Sequence, residues 1–285
     1  MDSFPIGQFS VARIGFGAMQ LPGPGVFGPP RDREQALKVL RRAVELGVDH
    51  IDTAQFYGPD VANELIREAL HPYPENLVLV SKVGARRDDI GAWLPLNEPA
   101  DLRRDIEANL LTLGVDQLAA VNLRLMEGSA PDQLFDEQLS VMIAARDEGL
   151  IGGIGLSEIT LEHLLHALER TEIVCVQNSF NLAQRSSGPL LAECTVRGIA
   201  FVPFFPLGSA FAQPNPVLGN DVVQMTAERL GYTPAQIVLA WTLNAAPNIL
   251  LIPGTSSVQH LEENLAIADI ELDEDTRASL TGIAG

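Results

Sequence analysis

Residues 118–156 read LAAVNLRLMEGSAPDQLFDEQLSVMIAARDEGLIGGIGL. The stretch opens on an apolar run, residues 118–125, interrupted only by Asn122 and Arg124, and closes on another, residues 151–156. Between them Asp132 stands where a helix N-cap belongs, and Gly149 follows Glu148 where a helix stops. Two strands buried on both faces, joined by a helix, make one βαβ unit, and such units build parallel sheets.

The same alternation runs from end to end. Strands are expected at residues 13–17, 48–52, 77–83, 118–125, 151–156, 173–177, 199–204 and 249–252. Asp32 with Gln35 suggests a capping box; Ala36, Leu40, Ala43 and Val44 repeat at helical spacing, and Gly47 ends that helix. Residues 132–148 and 234–244 repeat the plan. Eight such units in this order point to a closed (β/α)8 TIM barrel rather than an open doubly wound sheet. Residues 1–11 are expected to form a β-hairpin across the barrel floor, and residues 273–281 an extra C-terminal helix. No linker or low-complexity segment divides the chain, so residues 1–285 read as one domain.

Composition narrows the function. Hydrophobic residues make up 46% and charged residues 20%, enough for one large core. The net charge of −18 argues against nucleic acid and anionic membranes as partners, since both need a basic patch. No apolar run is long enough to span a bilayer, and residues 1–10 lack the pattern of a signal peptide. The two cysteines, Cys175 and Cys194, form no framework, and Cys175 lies in an apolar run that suits a buried thiol. A reducing cytoplasm is the expected location, the oligomeric state stays open, and no His, Asp or Glu spacing suggests a metal.

Gly23 to Gly28 match GxGxxG, but Pro24 lies inside the motif, Pro29 and Pro30 follow it, and no helix opens directly after it. The dinucleotide fingerprint needs that helix, so the segment reads as a rigid loop.

In a TIM barrel, chemistry gathers at the C-terminal ends of the strands. Asp52 ends the second predicted strand, Tyr57 follows five residues on, Lys82 lies near the end of the third and Arg124 near the end of the fourth. Period-two alternation puts Lys82 on the face of Val78 and Val80, and Arg124 on that of Asn122. If those faces point inward, Lys82 needs a partner, and Asp52 is on the adjacent strand. An ammonium beside the phenol of Tyr57 stabilises tyrosinate and makes Tyr57 a readier acid toward a carbonyl oxygen. The same residues would also serve as a structural ion pair under a tyrosine lid, and spacing alone does not separate the two.

Ile51-Asp52-Thr53-Ala54 followed by Tyr57-Gly58, the lysine ending strand three, Gly155-Leu156-Ser157, Val176-Gln177-Asn178, Ile252-Pro253-Gly254-Thr255 and Glu263-Asn264 together resemble the aldo-keto reductases. The similarity runs in register from about Ile14 to Asn264. Residues 17–33 and 202–208 are similar to bacterial pyridoxal reductases of that superfamily, which reduce pyridoxal with NADPH.

The resemblance implies an NADPH-dependent carbonyl reductase acting on a small-molecule aldehyde or ketone, pyridoxal among them, with NADH as a second cofactor. Tyr57 would be the acid and Lys82 and Asp52 would tune it. Ser157 and Gln177 would hold the nicotinamide carboxamide, and the ring of Phe204 would stack on the nicotinamide where the family usually has tyrosine. Gly17 and Met19 would border the cofactor. Phe205, Pro206, Leu207 and Gly208 would follow the pyrophosphate. Pro253, Gly254, Thr255, Ser256, Ser257 and His260 would approach the adenosine phosphate, and Glu263 and Asn264 the adenine. Broad aldehyde detoxification, and a low-turnover cofactor-sensing role, stand as the other readings.

Three positions depart from the family pattern. Arg124 stands where histidine is usual; guanidinium, with a pKa above about 12, cannot release a proton but can orient a carbonyl oxygen. Glu158 replaces an asparagine beside Ser157. His260 and Gly254 stand where the family has basic contacts to the 2′-phosphate, leaving hydroxyls and the start of a helix for that task. Phe27, Phe56 and Trp93 are candidate substrate walls with Tyr57 and Arg124. Arg86 and Arg87 read either as an anion clamp or as a solvated pair, and His71, His163 and His166 as surface residues.

Overall fold

The computed structural model describes residues 2–126, 128, 130–208 and 215–283. β1 (Ser3–Ile6) and β2 (Phe9–Ala12) form an antiparallel hairpin, as expected for the N-terminus. β3 (Phe16–Gly17), α1 (Arg33–Glu45), β4 (His50–Asp52), α2 (Val61–Leu70) and β5 (Val78–Val83) follow. A small antiparallel pair, β6 (Ala85–Arg87) and β7 (Trp93–Pro95), then precedes α3 (Pro99–Leu113). β8 (Ala120–Arg124), α4 (Gln133–Asp147), β9 (Ile154–Ser157), α5 (Leu161–Leu168), β10 (Cys175–Gln177), α6 (Gly188–Arg197) and β11 (Ala200–Phe201) continue the alternation. The chain ends with α7 (Asp221–Leu230), α8 (Pro234–Leu243), α9 (Val258–Leu265) and α10 (Glu274–Thr281).

Seven parallel strands lie in the order β3-β4-β5-β8-β9-β10-β11. Residues 249–251 close the ring. Phe201 pairs with Ile249 on one side and Ile14 with Leu251 on the other, the amides of Gly15 and Leu251 donating to Leu251 and Arg13 carbonyls at 2.8 Å. The eighth strand is thus a set of bridges, and the first is shorter than the sequence suggested. The backbones touch at this seam: a Cβ on Gly17 would come within 2.5 Å of the Ile252 carbonyl, and one on Gly254 within 2.4 Å of Gly17's. Pro253 has no amide hydrogen to extend the ladder.

Inward side chains are graded along the barrel. Ile6 and Val11 of the hairpin plug the floor against Val78, Val80, Ala120, Ala200 and Leu250. Two residues further along the same faces of β5 and β8 come Lys82 and Asn122, so the apolar floor there gives way to polar residues, while Val202 after β11 still belongs to the floor cluster. Residues between them point outward. Thr53 and Ser81 join Asn63, Asn109 and Thr112 in a buried network with bonds of 2.6–3.0 Å, which ties β4 and β5 to α2 and α3.

Helix ends follow local chemistry, with exceptions. Asp32 caps α1 through the Gln35 amide, but the Gln35 side chain reaches the Ser256 carbonyl at 3.4 Å instead of returning to the cap. Thr233 and Gln236 make the reciprocal box at α8. Asn220 and Gly231 cap α7, a helix the sequence reading did not include. His163 is buried rather than superficial: it completes a capping box with Thr160 and meets Phe135 edge-on at 5.0 Å. Gly23 to Gly28 fold into a tight turn in which the Gly23 amide donates to Gly28 at 3.0 Å.

Asp105 on α3 and Asp60 at the start of α2 each have a buried carboxylate oxygen without a hydrogen-bond partner. Burial first, and the charge of Asp60 second, push the Asp105 pKa up to about 6, with Arg104 opposing. A folded pKa above the ordinary value means stability that is complete below about pH 4 and is lost as pH rises through about 6. Asp105→Asn is therefore expected to melt at a higher temperature than the parent at about pH 8, worth roughly 1 kcal/mol after allowance for solvent screening. Melts at about pH 4 should coincide, and an equal shift at both pH values would refute the assignment.

Candidate active site

The C-terminal ends of β4, β5, β8 and β10 converge on a cavity of about 600 Å³. Asp52 pairs with Val80 across β4 and β5, which brings Lys82 onto the same inward face. The Lys82 ammonium is hydrogen-bonded to Asp52 Oδ1 and donates to the Thr53 carbonyl at 3.0 Å. The second carboxylate oxygen accepts from Gln177 Nε2 at 2.6 Å. Lys82 Nζ lies 5.0 Å from the Tyr57 ring centroid. Burial works against the ammonium, but attraction to Asp52 and then Tyr57 outweighs it and leaves the Lys82 pKa above its ordinary value.

Tyr57 is set by local turns. Its amide donates to Ala54 at 3.0 Å, and its carbonyl accepts from Ala62 at the start of α2 at 3.1 Å. Phe56 meets the Tyr57 ring edge-on at 5.4 Å and Trp93 at 5.7 Å, so three aromatic rings wall one side. Phe27 does not line the cavity. The guanidinium of Arg87 lies 4.0 Å from the Trp93 centroid and 5.4 Å from that of Phe27, and donates to the carbonyls of Val26 and Gly25 at 2.7 and 2.8 Å. Arg87 is thus neither an anion clamp nor a solvated charge; it fastens the loop after β3 to the β6–β7 pair. Arg86 is exposed.

Arg124 ends β8 opposite Ser157 of β9. Its guanidinium carbon is 5.6 Å from the Phe204 ring centroid. Its Nε is buried and has no hydrogen-bond partner, and among the described residues no carboxylate pairs with it. Gly84, at φ +103°, permits this placement, because a Cβ there would meet the Arg124 carbonyl at 2.2 Å.

Two more buried polar atoms lack partners: Ser157 Oγ and Gln177 Oε1. A primary amide in the cavity could donate to Gln177 Oε1, which fits the carboxamide of a nicotinamide; Ser157, the register partner of Gln177 on β9, is fully buried and does not itself line the cavity. Gly17, Met19, Asp52, Gln177, Phe204, Phe205, Pro206, Leu207, Gly208, Pro253, Gly254, Thr255 and Ser256 all line this cavity. Ser257, His260, Glu263 and Asn264 do not. Ser257 caps α9, accepting from the His260 amide at 3.4 Å; His260 is exposed, Glu263 accepts from Gln259 at 2.8 Å, and Asn264 is buried. Glu158 is exposed and adopts φ +58°, a conformation that asparagine accepts more readily than glutamate. Beside it, Asn178 holds both backbone groups of Ile159.

Gln20, Met126, Asn215 and Leu218 also border the cavity and were not anticipated. Met126 was legible, two residues beyond Arg124; the others sit in turns without a repeating pattern. Among the described residues, no group of three or more His, Cys, Asp or Glu side chains could hold a metal, and no helix is long and apolar enough to cross a membrane. Both cysteines are buried, and desolvation pushes each thiol up to about 12.

The chain is 48% identical over 286 residues to pyridoxine 4-dehydrogenase of Escherichia coli, covering 99% of this chain and 98% of the relative. It is 39% identical over 276 residues to an uncharacterised oxidoreductase of Schizosaccharomyces pombe, covering 96% and 87%. An aldo/keto reductase from Klebsiella pneumoniae, solved with NADP and acetate, superposes with a TM-score of 0.80 at 27% identity, covering 99% of this chain and 94% of that one. A thermostable aldo-keto reductase solved with the inhibitor epalrestat gives 0.83 at 28% identity, covering both chains fully. The model of the aldo/keto reductase family matches residues 13–284, and the chain belongs to that family.

Proposed function

We propose that this chain is an NADPH-dependent carbonyl reductase whose substrate is an aromatic aldehyde of the pyridoxal type. The observation that carries the reading is the Asp52–Lys82–Tyr57 cluster opening on one cavity with the unpartnered Gln177 Oε1, next to the buried and equally unpartnered Ser157 Oγ on the neighbouring strand. The substrate rests on the E. coli relative and the aromatic wall of Phe56, Tyr57 and Trp93.

When bound, NADPH supplies the hydride that becomes the new C–H bond. Gln177 would hold the carboxamide through its free Oε1, with Ser157 beside it on β9 as the second polar group toward that amide. Tyr57 donates its phenolic proton to the carbonyl oxygen as the C=O electron pair moves onto it. The aldehyde gains one hydride and one proton and leaves as the alcohol. Lys82 stabilises the tyrosinate left behind until solvent returns the proton, and Asp52 keeps Lys82 charged and aimed. Arg124 keeps its own proton and donates hydrogen bonds to the reacting oxygen. Phe204 offers a flat apolar face, and the segment from Phe205 to Gly208 supplies backbone groups for the phosphates. Gln177 is shared: one amide atom serves Asp52, and the other is left for the cofactor.

Tyr57→Phe is expected to lower kcat for pyridoxal by about a hundredfold to ten-thousandfold while NADPH binding, read by protein fluorescence, is retained. Unchanged turnover would remove Tyr57 as the acid. NADPH should show a lower Michaelis constant than NADH, and equal values would count against a phosphate site among Ser256, Ser257 and the start of α9. Arg87→Met, which frees Trp93 and the loop after β3, should raise the aldehyde KM by about threefold to thirtyfold and change kcat less. An effect confined to kcat would show that Arg87 does not act through the wall.

A further inference from the structure

Arg124 is a permanent cation whose charge the described protein does not neutralise. Along the cavity the described ionisable side chains are Asp52, Tyr57, Lys82 and Arg124, and Asp52 is the only carboxylate among them. That carboxylate is fully engaged, one oxygen by Lys82 and the other by Gln177. Arg124 contacts the face of Phe204 and keeps its Nε buried without a partner. Burying the Nε–H without an acceptor is costly, while the half-buried guanidinium keeps its remaining N–H groups for a ligand in the cavity it lines. Among the described residues the cavity is therefore left one positive charge in excess, beside the phenol that faces the substrate oxygen.

Resting on the carbonyl-reductase reading above, we propose that Arg124 is a specificity-determining residue selecting aldehydes with an ionised oxygen on the carbon next to the one bearing the carbonyl group, such as ortho-hydroxy aromatic aldehydes in their phenolate form. The two oxygens of such a compound lie side by side in one plane, and a guanidinium presents parallel N–H groups in one plane. One N–H meets the phenolate and the other the carbonyl oxygen that Tyr57 protonates. The fork thus fixes the aldehyde in the plane of its own ring and orients the carbonyl for attack from the face. Histidine at this position would offer one donor and no permanent charge, so it would not distinguish the phenolate from the bare aldehyde. Phe56, Trp93 and Phe204 supply apolar surface for the ring itself.

The test compares an ortho-hydroxy nitrobenzaldehyde, whose phenol is ionised at neutral pH, with its ortho-methoxy analogue and with benzaldehyde. In the parent protein with NADPH, kcat/KM for the hydroxy compound should exceed that for the methoxy compound by about tenfold to hundredfold. Arg124→Gln should collapse that ratio toward one, and Arg124→Lys should keep part of it. The yellow nitrophenolate band of the bound hydroxy aldehyde gives a readout independent of turnover, measured with NADP as the cofactor. Its apparent ionisation should shift to lower pH on binding the parent and not on binding Arg124→Gln. A ratio near one in the parent, or a ratio and band that survive Arg124→Gln unchanged, overturns the proposal and leaves the reductase reading intact. Failure of every aldehyde to oxidise NADPH would overturn the reductase reading, and the band alone would then decide the role of Arg124.

Discussion

Inside the upper end of the barrel an ammonium and a carboxylate sit side by side, both almost completely withdrawn from water. Neither would tolerate that environment alone, because an unpaired buried charge costs several kcal/mol. Each fixes the other: Asp52 holds Lys82 against Tyr57, and Lys82 with Gln177 saturates Asp52. Three strands and the turn after β4 must be in register for this to happen. The pair therefore ties the chemistry of the site to correct closure of the sheet.

The surrounding fold makes that arrangement affordable to a marginally stable chain. Thr53 and Ser81, the outward neighbours of the charged residues, lock into the Asn63 and Asn109 network beneath α2 and α3. The hairpin plug seals the opposite end with Ile6 and Val11. Polar chemistry is thus confined to one mouth, where Phe56, Tyr57 and Trp93 stand on one side and Phe204 elsewhere along its wall. The acidic surface and the site also fit together. Excess negative charge lies outside, while the described cavity carries two cations and one carboxylate, so an anionic ligand finds its attraction inside the site.

Much of this was legible in the residues. Near-continuous apolar runs marked the strands because both faces of a barrel strand are buried, and the period of two placed Lys82 and Arg124 with their inward neighbours. The seam was less legible: Gly17, Pro253 and Gly254 trade ladder hydrogen bonds for close backbone approach, and no local pattern distinguishes that from a strand. α7 was passed over although Asn220 and Gly231 mark its ends. His163 read as superficial because a histidine in a helix carries no sign of whether it faces a cap or solvent.

The sequence by itself determined the alternation of strands and helices, the side of each strand that its polar residues share, and the family motifs at strand ends. Those depend on the period of the backbone and on local capping, which a few neighbouring residues suffice to set. Only the closed barrel decided that Phe27 stands behind Arg87 rather than in the cavity, that one oxygen of Asp52 is held by Gln177 from 125 positions away, and that Arg124 finds no counter-charge among the described residues. Such facts concern which distant loops meet, and that is fixed by ring closure and side-chain packing rather than by any periodicity along the chain.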